Sequence, residues 1–164
     1  PTTGTGVTGR SLAGRTEAEE WALSQGAMVL HLSGICGDES EEESVRGYGP
    51  ARFVGDFARK GYLRNGLKPI NLIHVDDICR VALHLLETGK NLAGRRVLVT
   101  SGAYLARDIA ALVGVPKLEE STVSGGKIVS NALIRTLLPS DYVFKEPMPG
   151  LRPLAMPGRA DGKK

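Results

Sequence analysis

The order of apolar and polar positions divides the chain into alternating helical and extended pieces. Helix-forming residues dominate from 11 to about 25, and Gly26 is placed to end that helix. Residues 27–33 follow as a strand, because Met28, Val29, Leu30 and Leu32 form a short apolar run bounded by glycines and interrupted only by His31. Residues 70–75 form a second run of strand length. The strongest helical rhythm comes next: Ile78, Val81, Ala82, Leu85 and Leu86 stand at i, i+3, i+4, i+7 and i+8, with Asp76 or Asp77 as the cap and Gly89 at the end. Residues 97–100 predict a third strand. Leu105, Ile109, Leu112 and Val113 mark another amphipathic helix, stopped by Gly114 and Pro116. Residues 132–138 predict a short helix and 142–144 a short extended piece.

The intervening segments are polar or rich in turn formers. Residues 2–9 are Gly- and Thr-rich and predict a loop. A second loop, 34–49, carries the run Asp38, Glu39, Ser40, Glu41, Glu42 and Glu43, too densely charged to be buried and expected to be dispensable for folding. Pro50 suits the first turn of a helix with Phe53, Val54, Phe57 and Ala58 on one face and Gly61 at its end. Residues 66–69 are turn material. From Pro147 onward, four prolines and three glycines among 18 residues predict an irregular tail. There is no internal repeat. Alternating strands and helices predict an α/β fold with parallel pairing, and three or four strands read as part of a larger sheet covered by helices on both faces.

Composition narrows the function classes. A chain of 164 residues supports one core, and with only 5% aromatic residues that core is aliphatic. Lys and Arg are scattered, only residues 159–164 are locally basic, and no basic stripe carries interleaved aromatics; nucleic acid is not expected as a partner. No apolar run approaches the roughly 20 residues of a membrane span, so no membrane is expected either. Cys36 and Cys79 lack the spacing of a disulfide framework or zinc site. They fit a reducing, intracellular compartment, the cytoplasm before an organelle. The chain begins at Pro1 rather than at a methionine, so it is expected to be a processed product or a fragment.

Candidate chemistry is sparse. Gly4, Gly6 and Gly9 spell GxGxxG before a helix, the pattern that brings a pyrophosphate against helix amides. That turn needs a preceding strand, and three residues leave no room for one, so a plain loop is favoured. His74 and Asp76 could begin a metal site, but the nearest further histidine, His84, falls on the following helix, and no metal is assigned. The span from Gly9 through Ser11 to Gly14 is one residue too long for a nucleophile elbow. Glu17 and Glu19 point to different helix sectors; Glu19 or Glu20 is expected to form a surface ion pair with Arg15.

The segment Asn71-Leu72-Ile73-His74-Val75-Asp76-Asp77 resembles the N-x-I-H-V-x-D junction of NAD-dependent epimerase/dehydratases, the extended and atypical short-chain dehydrogenases. Leu30-His31-Leu32-Ser33-Gly34-Ile35-Cys36-Gly37 resembles that family's strand and loop upstream of the junction. Glu17 to Trp21 resembles the helix before the strand, and Lys127 to Asn131 the K-R-x-x-N close of an atypical subgroup. Order and spacing agree over roughly residues 9–150.

The resemblance implies a partial Rossmann-like, doubly wound parallel sheet, the C-terminal portion of the domain, over residues 1–146, with an irregular tail over 147–164. It implies NAD or NADP as cofactor, with Ser33, Gly34, Ile35 and Arg15 as contacts, and His31 and Asn71 on the substrate side. The family's catalytic tyrosine and the lysine four residues later fall here on Ser11 and Arg15, so no catalytic residue is assigned. A phenol needs such a lysine because its free pKa is about 10. Tyr48 and Arg52 share that spacing but have Pro50 between them, and they are set aside. Cys36 stands where the family loop has a tyrosine.

Three readings stay open. The chain is a degenerate or truncated epimerase/dehydratase-like oxidoreductase, supplying the substrate-side portion of a small-molecule site and relying on a missing N-terminal half or other subunits. It is a non-catalytic structural or interaction subunit on the same scaffold. Or it is an N-terminal dinucleotide-binding domain lacking its first strand. Whether it is an enzyme is undecided, and the chain alone is expected to bind NAD(P) poorly.

Overall fold

A computed structural model describes residues 6–37, 65–88, 92–112, 114 and 126–154, with side chains from residue 13 onward. The acidic run 38–43, the Tyr48/Arg52 pair, the helix expected after Pro50, and Gly4, Gly89, Val113, Pro116 and residues 155–164 lie outside the described residues.

Helix α1 spans Gly6–Ser24. It starts five residues before its expected beginning, so Gly6 and Gly9 of the glycine motif are helical and residues 6–9 are not a loop. Its end follows the expected chemistry. Gly26 takes φ +79°, its N–H bonds the Leu23 carbonyl at 2.9 Å and the Ala27 N–H bonds Ala22 at 3.0 Å, the double closure that a left-handed glycine permits.

Among the described residues five strands follow: β1 Val29–Leu32, β2 Gly34–Cys36, β3 Pro69–His74, β4 Arg96–Val99 and β5 Gly102–Leu105. They form two sheets, ordered β1-β4 and β2-β3-β5. The β1–β4 and β2–β3 pairs are parallel, as strand–helix alternation requires, but β5 runs antiparallel to β3, with Leu72 opposite Gly102. The all-parallel expectation is therefore corrected. So are two assignments: β2 occupies the start of the expected loop, and β5 includes Leu105, expected in a helix. Both strands are too short and too rich in small residues to show alternation, and their conformation is set by pairing with β3. Among the described residues, 142–144 pair with no strand, so the extended piece expected there joins neither described sheet.

Helix α2, Val75–Glu87, leaves β3 directly. Its cap is His74, not Asp76 or Asp77. His74 keeps extended backbone (φ −75°, ψ 141°), and its Nδ1 accepts the Asp76 N–H at 3.1 Å. The ring satisfies an otherwise free helix amide, and the two aspartates fall inside the first turn, where their charge suits the helix dipole. Helices α3, Ala106–Leu112, and α4, Ala132–Leu137, complete the described fold.

The two faces of β3 divide the core. Ile70 and Leu72 join Cys36, Tyr104, Ile109 and Leu151 in one cluster. Ile73 joins Val81, Leu85, Val97, Val99 and Ile134 in the other, against which Met28 and Leu30 of β1 are packed. Residues 147–154 are irregular, but Leu151 is buried and the Leu154 N–H bonds the Ala103 carbonyl at 2.7 Å, so this stretch is fastened to β5. No described helix is long and apolar enough to cross a membrane.

Candidate functional site

The junction between β3 and α2 organises the surface around it. Asp77, Val81 and Leu85 are four residues apart and share the inward face of α2, so a carboxylate enters the protein beside two core residues. Asp77 is 0% exposed and accepts three hydrogen bonds: from the Tyr142 hydroxyl at 2.8 Å, from the Lys145 backbone N–H at 2.7 Å and from Arg80 Nη1 at 3.2 Å. A buried carboxylate needs this degree of satisfaction. Its neighbour Asp76 points outward and pairs with Lys145 Nζ at 3.0 Å. Two adjacent aspartates thus hold the backbone and the side chain of the same lysine, and fix residues 142–145 against the helix.

That fixed segment forms one wall of a cavity of about 210 Å3. Tyr142 and Phe144 meet edge to face with centroids 5.1 Å apart, Arg80 lies over the Tyr142 ring at 4.6 Å, and Arg135 lies over Phe144 at 4.9 Å. The opposite wall comes from Ser101 and Tyr104, whose hydroxyls are 3.0 Å apart. Arg135, Arg152 and Glu146 also line it, as does Lys145, whose ammonium is committed to Asp76. Burial raises the Tyr104 phenol above its usual range; burial and then the hydrogen bond to Asp77 raise Tyr142. Both phenols are therefore held in the neutral form, and Tyr142 donates to Asp77. The lining suits an anionic small molecule with an apolar or stacking portion.

The residues picked from sequence are dispersed. His31 Nε2 is 3.0 Å from Glu19 Oε1, on the side of β1 facing α1. Glu19 and Glu20 pair with Arg96 of β4, not with Arg15, because the strand end lies beside α1; Arg15 is exposed. Arg96 and then His31 hold the Glu19 carboxyl below its usual range. Both amide atoms of Asn71 are engaged in structure: Nδ2 donates to the Lys127 carbonyl at 2.7 Å and Oδ1 accepts the Val129 N–H at 3.0 Å. Neither His31 nor Asn71 lines the cavity.

Ser33 stands at the carboxyl end of β1, where the chain passes from one sheet to the other, and its Oγ is buried with no hydrogen-bond partner among the described residues. Gly34 is needed for strand approach, since a Cβ there would sit 3.1 Å from the Asn71 carbonyl oxygen and from Leu72. Ile35 is exposed. Ser11 and Arg15 are one turn apart on α1. Cys36 is buried, donates to the Ile73 carbonyl at 3.1 Å, and has its thiol pushed up to about 12 by burial, so it is no nucleophile. His74 Nδ1 is committed to the helix cap, and among the described residues no group of three or more His, Cys, Asp and Glu could hold a metal ion.

The cavity residues have little local signature. The available signal was Tyr142 and Phe144, two rings close together in a chain with only four tyrosines and three phenylalanines, followed directly by Lys145.

No family model and no curated protein matches the sequence. Solved structures do match the fold. dTDP-glucose 4,6-dehydratase from Bacillus anthracis str. Ames, in complex with NAD, is similar with a TM-score of 0.50 at 14% identity, over 80% of this chain and 44% of that one. RMD from Pseudomonas aeruginosa, complexed with NADPH, gives 0.48 at 19% identity over 77% and 47%. UDP-glucose 4-epimerase from Thermus thermophilus, in complex with NAD, gives 0.46 at 16% identity over 76% and 45%. The chain spans less than half the length of these structures. The dehydratase match shows a shared Rossmann-like α/β fold.

Proposed function

We propose that this chain forms the substrate-side portion of an NAD(P)-dependent epimerase/dehydratase-like site, with a nucleotide-sugar as the substrate class. The observation that carries the reading is the cavity held by Asp77. Its two aromatic rings can bear on a base or sugar, and Arg135 and Arg152 can face a diphosphate. NAD or NADP is the cofactor by resemblance, and it supplies hydride transfer when bound. Ser33, with its unpartnered buried hydroxyl at a strand's carboxyl end, is the residue best fitted to contact it, with Gly34, Ile35 and Arg15 nearby in sequence or on α1. The remainder of the site is supplied by a further α/β segment or subunit.

A second reading, a non-catalytic subunit on the same scaffold, is favoured by Ser11 and Arg15 at the family's catalytic positions. Calorimetric titration with dTDP-glucose and UDP-glucose separates the two. The first reading expects heat that Arg152→Ala weakens. Absence of heat with both ligands at millimolar concentration sinks it and leaves the second.

A further inference from the structure

The cavity is small for the ligand class assigned to it. Pockets that enclose a whole drug-sized molecule run to about 300–1,000 Å3, against about 210 Å3 here. It therefore encloses one portion of a nucleotide-sugar, and the hydroxyl groups on its wall decide which portion.

The turn from β4 to β5 sets the direction of those hydroxyls. Three donors approach the Leu72 carbonyl of β3: the Ser101 N–H at 2.9 Å, the Ser101 hydroxyl at 2.8 Å and the Thr100 hydroxyl at 3.0 Å. A carbonyl oxygen has two lone pairs. Thr100 has a second acceptor, the Gly102 carbonyl at 3.2 Å, so every donor is satisfied when Thr100 turns there and both Ser101 donors go to Leu72. The Asn131 amide nitrogen donates to the Thr100 and Ser101 carbonyls at 3.4 and 3.3 Å and steadies the turn. The Ser101 hydroxyl has then spent its one proton. Across the 3.0 Å to Tyr104 the phenol donates and the serine accepts. The reverse assignment takes the Ser101 proton from its shorter contact and sets the proton of a phenol that is 2% exposed in search of another acceptor. Buried polar groups are paired, which selects the first assignment.

With both protons committed, Ser101 and Tyr104 offer a ligand acceptors only. The Tyr104 oxygen lies where the 151–153 stretch meets β5: a Cβ on Gly102 would stand 3.8 Å from it and 3.0 Å from Pro153, and Ser101, Tyr104, Leu151 and Pro153 all line the cavity. An acceptor-only wall turns away a diphosphate, whose ionised oxygens also only accept. It suits a pyrimidine edge poorly, because carbonyl oxygens flank the single N–H there. A sugar hydroxyl donates, and the C–H groups of a sugar ring match the apolar surface of Tyr142 and Phe144 on the facing wall.

We propose that the cavity takes the glycosyl group of the nucleotide-sugar and that Tyr104 is a specificity-determining residue, its oxygen accepting a hydrogen bond from a sugar hydroxyl. The exposed side chains of Arg135 and Arg152 are then left for the diphosphate. This assignment rests on the nucleotide-sugar reading given above.

The test titrates the full chain and its Tyr104→Phe variant with UDP-glucose and with UDP by calorimetry. The wild type is expected to bind UDP-glucose more tightly than UDP. Tyr104→Phe should weaken UDP-glucose about 3–10-fold, the worth of one hydrogen bond, and leave UDP unchanged. Ser101→Ala, which keeps the Tyr104 ring in the core, supplies a reading free of ligand. The tyrosine Fermi doublet in the Raman spectrum distinguishes a donating from an accepting phenol, and this variant should lose donor character relative to wild type. Equal affinity of the wild type for UDP and UDP-glucose, equal weakening of both ligands or of neither by Tyr104→Phe, or a gain of donor character in Ser101→Ala overturns the proposal while UDP-glucose binding still stands for the nucleotide-sugar reading. A wild type that binds neither ligand overturns both.

Discussion

Replacing Asp77 tests how the site is held together. If the carboxylate were a helix cap, asparagine would serve nearly as well, because one acceptor oxygen suffices. At Asp77 both oxygens are in use: Oδ1 receives Tyr142 and Arg80, and Oδ2 receives the Lys145 N–H. Asparagine keeps one oxygen and turns an NH2 group toward donors that cannot accept from it in their present geometry. Hydrogen bonds to a charged group contribute about 1.5–3 kcal/mol each, and a donor left buried without a partner adds a desolvation penalty. Asp77→Asn is therefore expected to destabilise the chain by about 2–4 kcal/mol, within the range for disrupting a buried polar network. Asp76 is the internal comparison. Its side chain is 55% exposed and its pair with Lys145 is open to water, so Asp76→Asn should cost less than about 1 kcal/mol.

Urea unfolding of the full chain, followed by circular dichroism, measures both. At this chain length about 2–4 °C in Tm corresponds to each kcal/mol, so the Asp77 variant should also melt on the order of 5–15 °C lower. Tyr142→Phe removes one of the three donors, and its cycle with Asp77→Asn should show a coupling of about 1–2 kcal/mol. The reasoning is refuted if Asp77→Asn lies within about 0.5 kcal/mol of wild type, the scatter of an ordinary surface substitution, or if Asp76→Asn is the more damaging change.

Three further outcomes are expected. In a thiol-labelling assay Cys79 should react in the native protein and Cys36 only after unfolding; quantitative native labelling of both would contradict the burial of Cys36. Because burial raises the Cys36 thiol from 9.0 to about 12, the unfolded chain loses that proton first, so this contribution to stability is complete below about pH 9 and falls as pH rises toward 12; Cys36→Ala should flatten that part of the profile. Asn71→Ala should cost about 1–3 kcal/mol through its two lost hydrogen bonds and speed hydrogen exchange at the Val129 amide; unchanged exchange would show that residues 127–129 are held by other means.

The elements legible in the sequence were those whose signal is local. The run at Met28–Leu32, the run at 70–75 and the rhythm from Ile78 to Leu86 each contrast with their neighbours, and each became the core of an element. The strands that escaped notice, Gly34–Cys36 and Gly102–Leu105, owe their conformation to β3, and no window of three or four residues contains that partner. The cavity is less legible still, since its walls come from residues 101–104, 135 and 142–153.

Asp77 marks the boundary between the two cases. Its donors Tyr142 and Lys145 are 65 and 68 residues away, so its partners cannot be read from the helix alone. Its burial can. Counting back by fours from Leu85 through Val81 reaches Asp77, which puts a carboxylate on the apolar face of the most regular helix in the chain. A charge there requires paired donors from outside the helix, because the energetic penalty of burying it unpaired exceeds what a terminal cap can offset. The helical rhythm therefore identifies Asp77, rather than Asp76, as the residue that fastens a distant segment, and the two donors that come to its oxygens from outside the helix, Tyr142 and Lys145, are the physical consequence of that position.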